Sequence, residues 1–92
     1  MRKEQYRSFL SEEEYKFLSL LVEISEDADK VVKCNNFDDE EYIYFDGENF
    51  IYRTTDDILI SDEAIEVVEF FRSSYSIGWY KSCRWYIDDM PN

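Results

Sequence analysis

The chain has 92 residues, 45% of them hydrophobic and 18% aromatic, with 22 acidic and 10 basic side chains, no histidine and a net charge of −12. That length holds one domain and no second independent core, and the apolar content excludes a disordered acidic tail. The sign of the charge disfavours direct binding to nucleic acid or to an anionic membrane surface.

Residues 1–10 are mixed and read as a short helix or arm. Met1-Arg2-Lys3-Glu4-Gln5 has no apolar signal core, and no run approaches the roughly 20 apolar residues of a membrane span. The expected location is therefore the cytosol. Ser11-Glu12-Glu13-Glu14 is a capping box, in which Ser11 and Glu14 satisfy each other's backbone amides. Three acids in the first turn also suit the helix dipole. Phe17, Leu18, Leu21 and Ile24 recur at helical spacing, which predicts a helix over 12–28 buried on that stripe.

Residues 31–34 read as a short strand. Asn35-Asn36 and the acids after Phe37 read as a loop. Residues 41–45 form a strand rich in aromatic and β-branched side chains. Asp46-Gly47 is a hairpin signal, and 49–54 return as the partner strand. Ile43 and Phe45 share one face of this hairpin, while Tyr42 and Tyr44 share the other. One face is expected to pack on helices and the tyrosine face to meet solvent or a partner.

Residues 54–57 break the pattern. Ile58-Leu59-Ile60 is a short apolar run leading to Ser61, read as the N-cap of a second helix. Ala64, Val68, Phe71 and Tyr75 form its apolar stripe, widened by Ile65 and Val67, and Gly78 is the expected C-cap. Residues 79–87 alternate and read as a last strand. The expected fold is a single α+β domain over residues 1–92, in the order α-β-β-β-α-β. Its helices pack on a small, mainly antiparallel sheet, with a crossover from the third strand to the last.

Cys34 and Cys83 lie 49 residues apart and lack metal-ligand spacing. In a cytosolic chain they read as reduced core residues, with a disulfide between them as the alternative. The absence of histidine leaves acid–base chemistry near neutral pH to a perturbed carboxylate, lysine or cysteine. Neither a Ser/His/Asp or Cys/His pattern nor a glycine-rich phosphate loop is present, so the reading is not an enzyme and needs no cofactor. The 38–41 run and Asp46-Gly47-Glu48-Asn49 carry oxygen ligands suited to calcium or magnesium. They do not follow the EF-hand spacing, so no metal site is assigned. The small basic groups, Arg2, Lys3 and Arg7, or Lys81 and Arg84, fall short of a phosphate tether.

The charge is concentrated. Twelve of the 22 acids fall between Asp38 and Glu69 with one base, Arg53, so this window carries −11 of the −12. Outside it, 10 acids face 9 bases. Carboxylates at i and i+4 of a helix lie about 6 Å apart along its axis, and those at i and i+2 of a strand about 6.6 Å. Asp62, Glu66 and Glu69 therefore suggest one phosphate-like row on a helix. Asp46 and Glu48 at the hairpin tip, with Asp38, Asp39, Glu40 and Glu41, suggest another. Carboxylates also accept bidentate bonds from arginine. Asp56, Asp57 and Glu63 complete the candidate partner-binding set, with Tyr42 and Tyr44 beside them. The bland alternative is a solvated surface that keeps the chain soluble.

The hairpin 41–47 followed by 64–79, in this acidic setting, resembles small phage-encoded inhibitors of nucleic-acid enzymes. The nearest likeness is to anti-CRISPR proteins that block Cas9 by occupying its DNA-binding cleft. The likeness rests on element order and charge. It implies a stoichiometric inhibitor without turnover, whose acids pair with DNA-reading Arg and Lys residues and whose Tyr42, Tyr44 and Tyr52 serve as apolar anchors. The implied partner is a basic nucleic-acid-binding protein: a Cas9-like effector, a restriction enzyme or a nuclease. An immunity protein guarding against a basic nuclease toxin would show the same surface. An acidic regulatory module would bind through its tyrosine face instead. Monomer and dimer both remain open.

Overall fold

In the computed structural model, which describes residues 3–74 and 82–91, a short 3-10 turn (Lys3–Tyr6) precedes α1 (Glu12–Glu26). The capping box forms as expected: the Ser11 amide donates to the Glu14 carboxylate at 2.9 Å, and the Glu14 amide donates to the Ser11 hydroxyl at 3.2 Å. Phe17, Leu18, Leu21 and Ile24 are all buried. α1 stops at Glu26, two residues short of the expected end. Asp27 turns to extended backbone there, and its carboxylate accepts from the Asp29 amide.

Five strands follow from the remaining segments: β1 (Lys30–Cys34), β2 (Tyr42–Phe45), β3 (Phe50–Arg53), β4 (Ile58–Ser61) and β5 (Trp85–Asp89). They form one antiparallel sheet in the order β4-β3-β2-β1-β5. α2 (Ala64–Ser74) connects the two edge strands. The α+β class expected from the sequence is what the chain adopts, with one strand more than the sequence suggested.

That strand is β4, which reads as a bare apolar run because it does not alternate. A register shift opposite Phe50 and Ile51 accounts for this. It lets Ile60 pack against the core while Leu59, opposite Ile51, turns to the other face. The crossover therefore starts from β4, not from the third strand. Ser61 ends β4 and is not the N-cap: α2 begins three residues later, and the Ser61 hydroxyl accepts from the Glu63 amide at 3.1 Å. β5 is shorter than the expected 79–87 because its ladder is set by β1. Lys30 to Cys34 pair residue for residue with Asp89 to Trp85. Of the expected strand and helix end, Tyr75, Gly78 and residues 79–81 lie outside the described residues.

The register sorts the sheet into two faces. Val32, Cys34, Ile43, Phe45, Phe50, Tyr52, Trp85 and Ile87 face the helices. α1 lies over β5, β1 and β2, and α2 lies beside it against β4. The centre is an aromatic group: Phe17 stacks on Trp85 at 3.8 Å between ring centroids, and Phe71 meets Phe17, Trp85 and Tyr52 at 5.6, 5.4 and 5.3 Å. Each such pair contributes about 0.5–1.5 kcal/mol beyond area burial, so this group ties both helices to β3 and β5. At its edge Arg72 of α2 donates through Nε and Nη2 to Glu14 of α1, both at 2.8 Å. Among the described residues no helix is long and apolar enough to cross a membrane.

Candidate protein-interaction surface

Antiparallel pairing divides the acidic window between the two ends of the sheet. The end of β1, the start of β2, the end of β3 and the start of β4 coincide. The loop 35–41 and the turn 54–57 therefore share one end and bring Asp38, Asp39, Glu40 and Glu41 near Asp56 and Asp57. A shallow cleft of roughly 480 Å³ there is lined by Asp38, Glu40, Glu41 and Arg53. The hairpin tip with Asp46 and Glu48 lies at the opposite end, together with Asp62 and Glu63, which lead into α2. Glu66 and Glu69 are on α2 and exposed. The expected row of Asp62, Glu66 and Glu69 on one helix is thus reduced to two, since Asp62 precedes the helix.

Five acids of the window are occupied by the fold, among them Asp62, whose carboxylate accepts from the Ser61 hydroxyl at 3.4 Å. Glu41 is half-buried: one carboxylate oxygen accepts from the Tyr52 hydroxyl at 2.5 Å and the other from the Asp38 amide at 2.9 Å. Asp46 accepts from the amides of Asn49 and Glu48, both at 2.8 Å, and these bonds hold its carboxyl below its ordinary range. With Gly47 at φ +104, they build the hairpin turn. Asp57 accepts from the Thr54 amide at 3.4 Å, and Glu66 from the Ser61 hydroxyl at 3.0 Å. Asp39, Glu40, Glu48, Asp56, Glu63 and Glu69 are exposed. Their carboxylates have no hydrogen bond or ion pair within the described residues. The three ion pairs of the described residues, Lys30–Asp89, Lys33–Asp88 and Arg72–Glu14, all use acids outside the window.

The tyrosines divide differently from the expectation. Tyr42 and Tyr44 do lie on the face away from the helices, but Tyr42 is only 7% exposed, between the Tyr44 ring and the Arg53 guanidinium. Tyr52 is core-facing and 5% exposed. Neither is an available anchor. Tyr44 is half-buried, and burial, then the Asp57 and Asp46 carboxylates, push its phenol above its ordinary value. The apolar residues on offer among the described residues are ones the sequence did not single out as anchors: Leu59 and Tyr86 on the open face, Ile58 at the start of β4, and Phe9 near α1. Their exposure follows from the register and from β4, which local pattern did not reveal.

A second groove of about 470 Å³ lies at the hairpin-tip end. Tyr6, Phe45 and Phe50 line it with aromatic surface, and Glu26, Asp62 and Glu63 supply carboxylates. An arginine or lysine stem fits such a floor, with its charged head among the acids. Glu26, Tyr6, Phe45 and Phe50 were not legible as site residues, because the groove joins segments about 40 residues apart in the chain. Among the described residues no group of three or more His, Cys, Asp or Glu side chains could hold a metal ion.

The chain matches no family model, no curated protein and no solved structure.

Proposed function

We propose that the chain is a non-catalytic, stoichiometric ligand of a basic nucleic-acid-binding protein, whose nucleic-acid cleft it occupies in the manner of an anti-CRISPR inhibitor of a Cas9-type effector. The observation that carries this reading is that twelve carboxylates lie in one window and none is in an ion pair among the described residues. Such an arrangement maximises the field offered to a basic partner. Two clusters at opposite ends of the sheet, 38–41 with 56–57 and 46–48 with 62–63, offer a basic cleft two separate groups of carboxylates. The acidic aromatic groove adds a place for one partner side chain, and Leu59 and Tyr86 supply apolar contact beside the charge. The site of action is the cytosol, where such partners work.

The test is binding to a purified Cas9-type effector, with duplex DNA as competitor and the salt concentration varied. Competition and a steep loss of affinity with salt are expected. Reversing Glu66 and Glu69 to Lys should weaken binding at least about tenfold at low salt. Binding that ignores both DNA and salt would overturn the reading. Tight binding to a nuclease toxin, in place of the effector, would move it to an immunity protein.

A further inference from the structure

We propose that Cys34 and Cys83 are a disulfide-forming site, a redox-sensitive clasp that fastens the last strand to the base of the acidic loop. The two residues are 49 positions apart, yet the Cys34 thiol donates to the Cys83 sulfur at 3.0 Å inside the core. Both thiols are buried. A disulfide needs the sulfurs about 2.05 Å apart, so closure takes a movement of about 1 Å.

Their positions give the bond a consequence. Cys34 ends β1 and pairs with Trp85, the first residue of β5. Cys83 lies two residues before Trp85. β5 is an edge strand whose one sheet neighbour is β1, so the bond would add a covalent tie next to the β1–β5 ladder. The loop that carries Asp38, Asp39, Glu40 and Glu41 leaves directly from Cys34. It is already tied to the same point: the Asn36 amide donates to the Cys34 sulfur at 3.4 Å, the Asn36 side chain donates to the Ser82 hydroxyl and the Cys83 sulfur, and Asn35 accepts from the Arg84 amide at 2.8 Å. A covalent bond here would close a long loop of the unfolded chain and fix one acidic end of the sheet in its folded arrangement.

The chemistry balances with a small disulfide oxidant such as oxidised glutathione. One cysteine, as thiolate, attacks the oxidant's S–S bond, forms a mixed disulfide and expels one glutathione thiolate. The second cysteine, as thiolate, attacks the bound cysteine sulfur and expels the other. The protein loses two protons and two electrons, and the oxidant becomes two thiols. Burial, and then the hydrogen bond with Cys34, push the Cys83 thiol above its ordinary value. Closure in the folded protein is therefore slow at neutral pH and speeds up as pH rises. In a reducing compartment the pair remains a hydrogen-bonded dithiol.

The experiment is incubation of the reduced full chain with oxidised glutathione at about pH 8, followed by intact mass, thiol titration after denaturation, peptide mapping and thermal melting. The expected product is a monomer lighter by two hydrogens, with no titratable thiol and a Cys34–Cys83 cross-linked peptide. Its melting temperature should exceed that of the reduced chain by about 10 °C, reversed by dithiothreitol. Persistent free thiols, glutathione adducts alone or intermolecular dimers alone would overturn the proposal, as would an oxidised monomer that melts below the reduced one. Oxidation of refolding chain is the second measurement: a cross-link formed only there, and lost on native re-equilibration with glutathione, would also overturn it. Neither arm depends on a binding partner.

Discussion

Replacing Glu14 by Gln tests the joint between the two helices. The Glu14 carboxylate takes three bonds, one from the Ser11 amide and two from Arg72, while only 10% of its side chain is exposed. Gln offers one acceptor oxygen in place of two, so Ser11 and Arg72 cannot both be served. Losing the capping-box half costs about 1 kcal/mol. A charge-assisted bond to a buried partner is worth about 1.5–3 kcal/mol, but the Arg72 side chain is 42% exposed, which lowers this to about 1. The sum is about 2 kcal/mol, or roughly 8–16 °C in melting temperature for a domain of this size. Urea denaturation followed by circular dichroism measures it, and a cycle with Arg72→Met should give a coupling of about 1 kcal/mol. The pH dependence has a definite sign. Burial pushes the Glu14 carboxyl upward, but the Ser11 amide and Arg72 outweigh it, so the folded pKa lies below the ordinary 4.5. The unfolded state then binds more protons between those two values. The gap between wild type and variant should be constant above about pH 5 and shrink as pH falls below 4.5. A variant within about 0.5 kcal/mol of wild type, or a gap that widens in acid, would refute the reasoning.

Gly47→Ala should destabilise by about 1–2 kcal/mol in thermal melts, through the backbone alone, since φ is +104 and a Cβ there meets nothing within 4 Å. Tyr52→Phe removes the hydroxyl bonded to Glu41 at 2.5 Å. It should cost about 1 kcal/mol and speed amide exchange in the 38–41 loop, whereas unchanged exchange would show that the bond does not hold that loop. Raising sodium chloride from about 0.02 to 0.5 M should raise the melting temperature by a few degrees, because screening relieves self-repulsion; a fall would mean that the ion pairs dominate.

The fold was legible where one element carried its own signal. Ser11 and Glu14 announced the start of α1, and its stripe of Phe17, Leu18, Leu21 and Ile24 needed no partner to be recognised. Asp46-Gly47 announced the hairpin turn. β4 was not legible as a strand because its alternation is broken by a register shift against β3, and that shift exists only once the strands pair. The end of β5 was misplaced for a related reason: its length is set by β1, more than 50 residues earlier in the chain. The candidate surface divides along the same line. Its negative charge is a property of composition and could be counted. Which carboxylates are displayed, and which are spent on Tyr52, Asn49, Thr54 or Ser61, depends on turns and cross-strand neighbours. Tyr42 and Tyr52 looked alike as aromatic anchors, yet one lies beneath Arg53 on the open face and the other inside the core.

That division separates two purposes of the same residue type and makes them measurable. Glu41, Asp46, Asp57 and Glu66 satisfy backbone amides or hydroxyls, so neutralising them should lower stability. Asp39, Glu40, Glu48 and Glu69 make no such bonds through their carboxylates and add repulsion to a chain of net charge −12. Neutralising these four as Asp39→Asn, Glu40→Gln, Glu48→Gln and Glu69→Gln should therefore raise the melting temperature, by more at low salt than at high. A surface selected only for the folded state would have discarded charges that oppose folding, whereas a surface selected for a basic partner retains them at the expense of stability. The same four-fold variant should then bind the partner more weakly and with a shallower salt dependence. If it is both more stable and equally tight in binding, the displayed acids serve solubility, and the recognition surface must be sought at Leu59 and Tyr86.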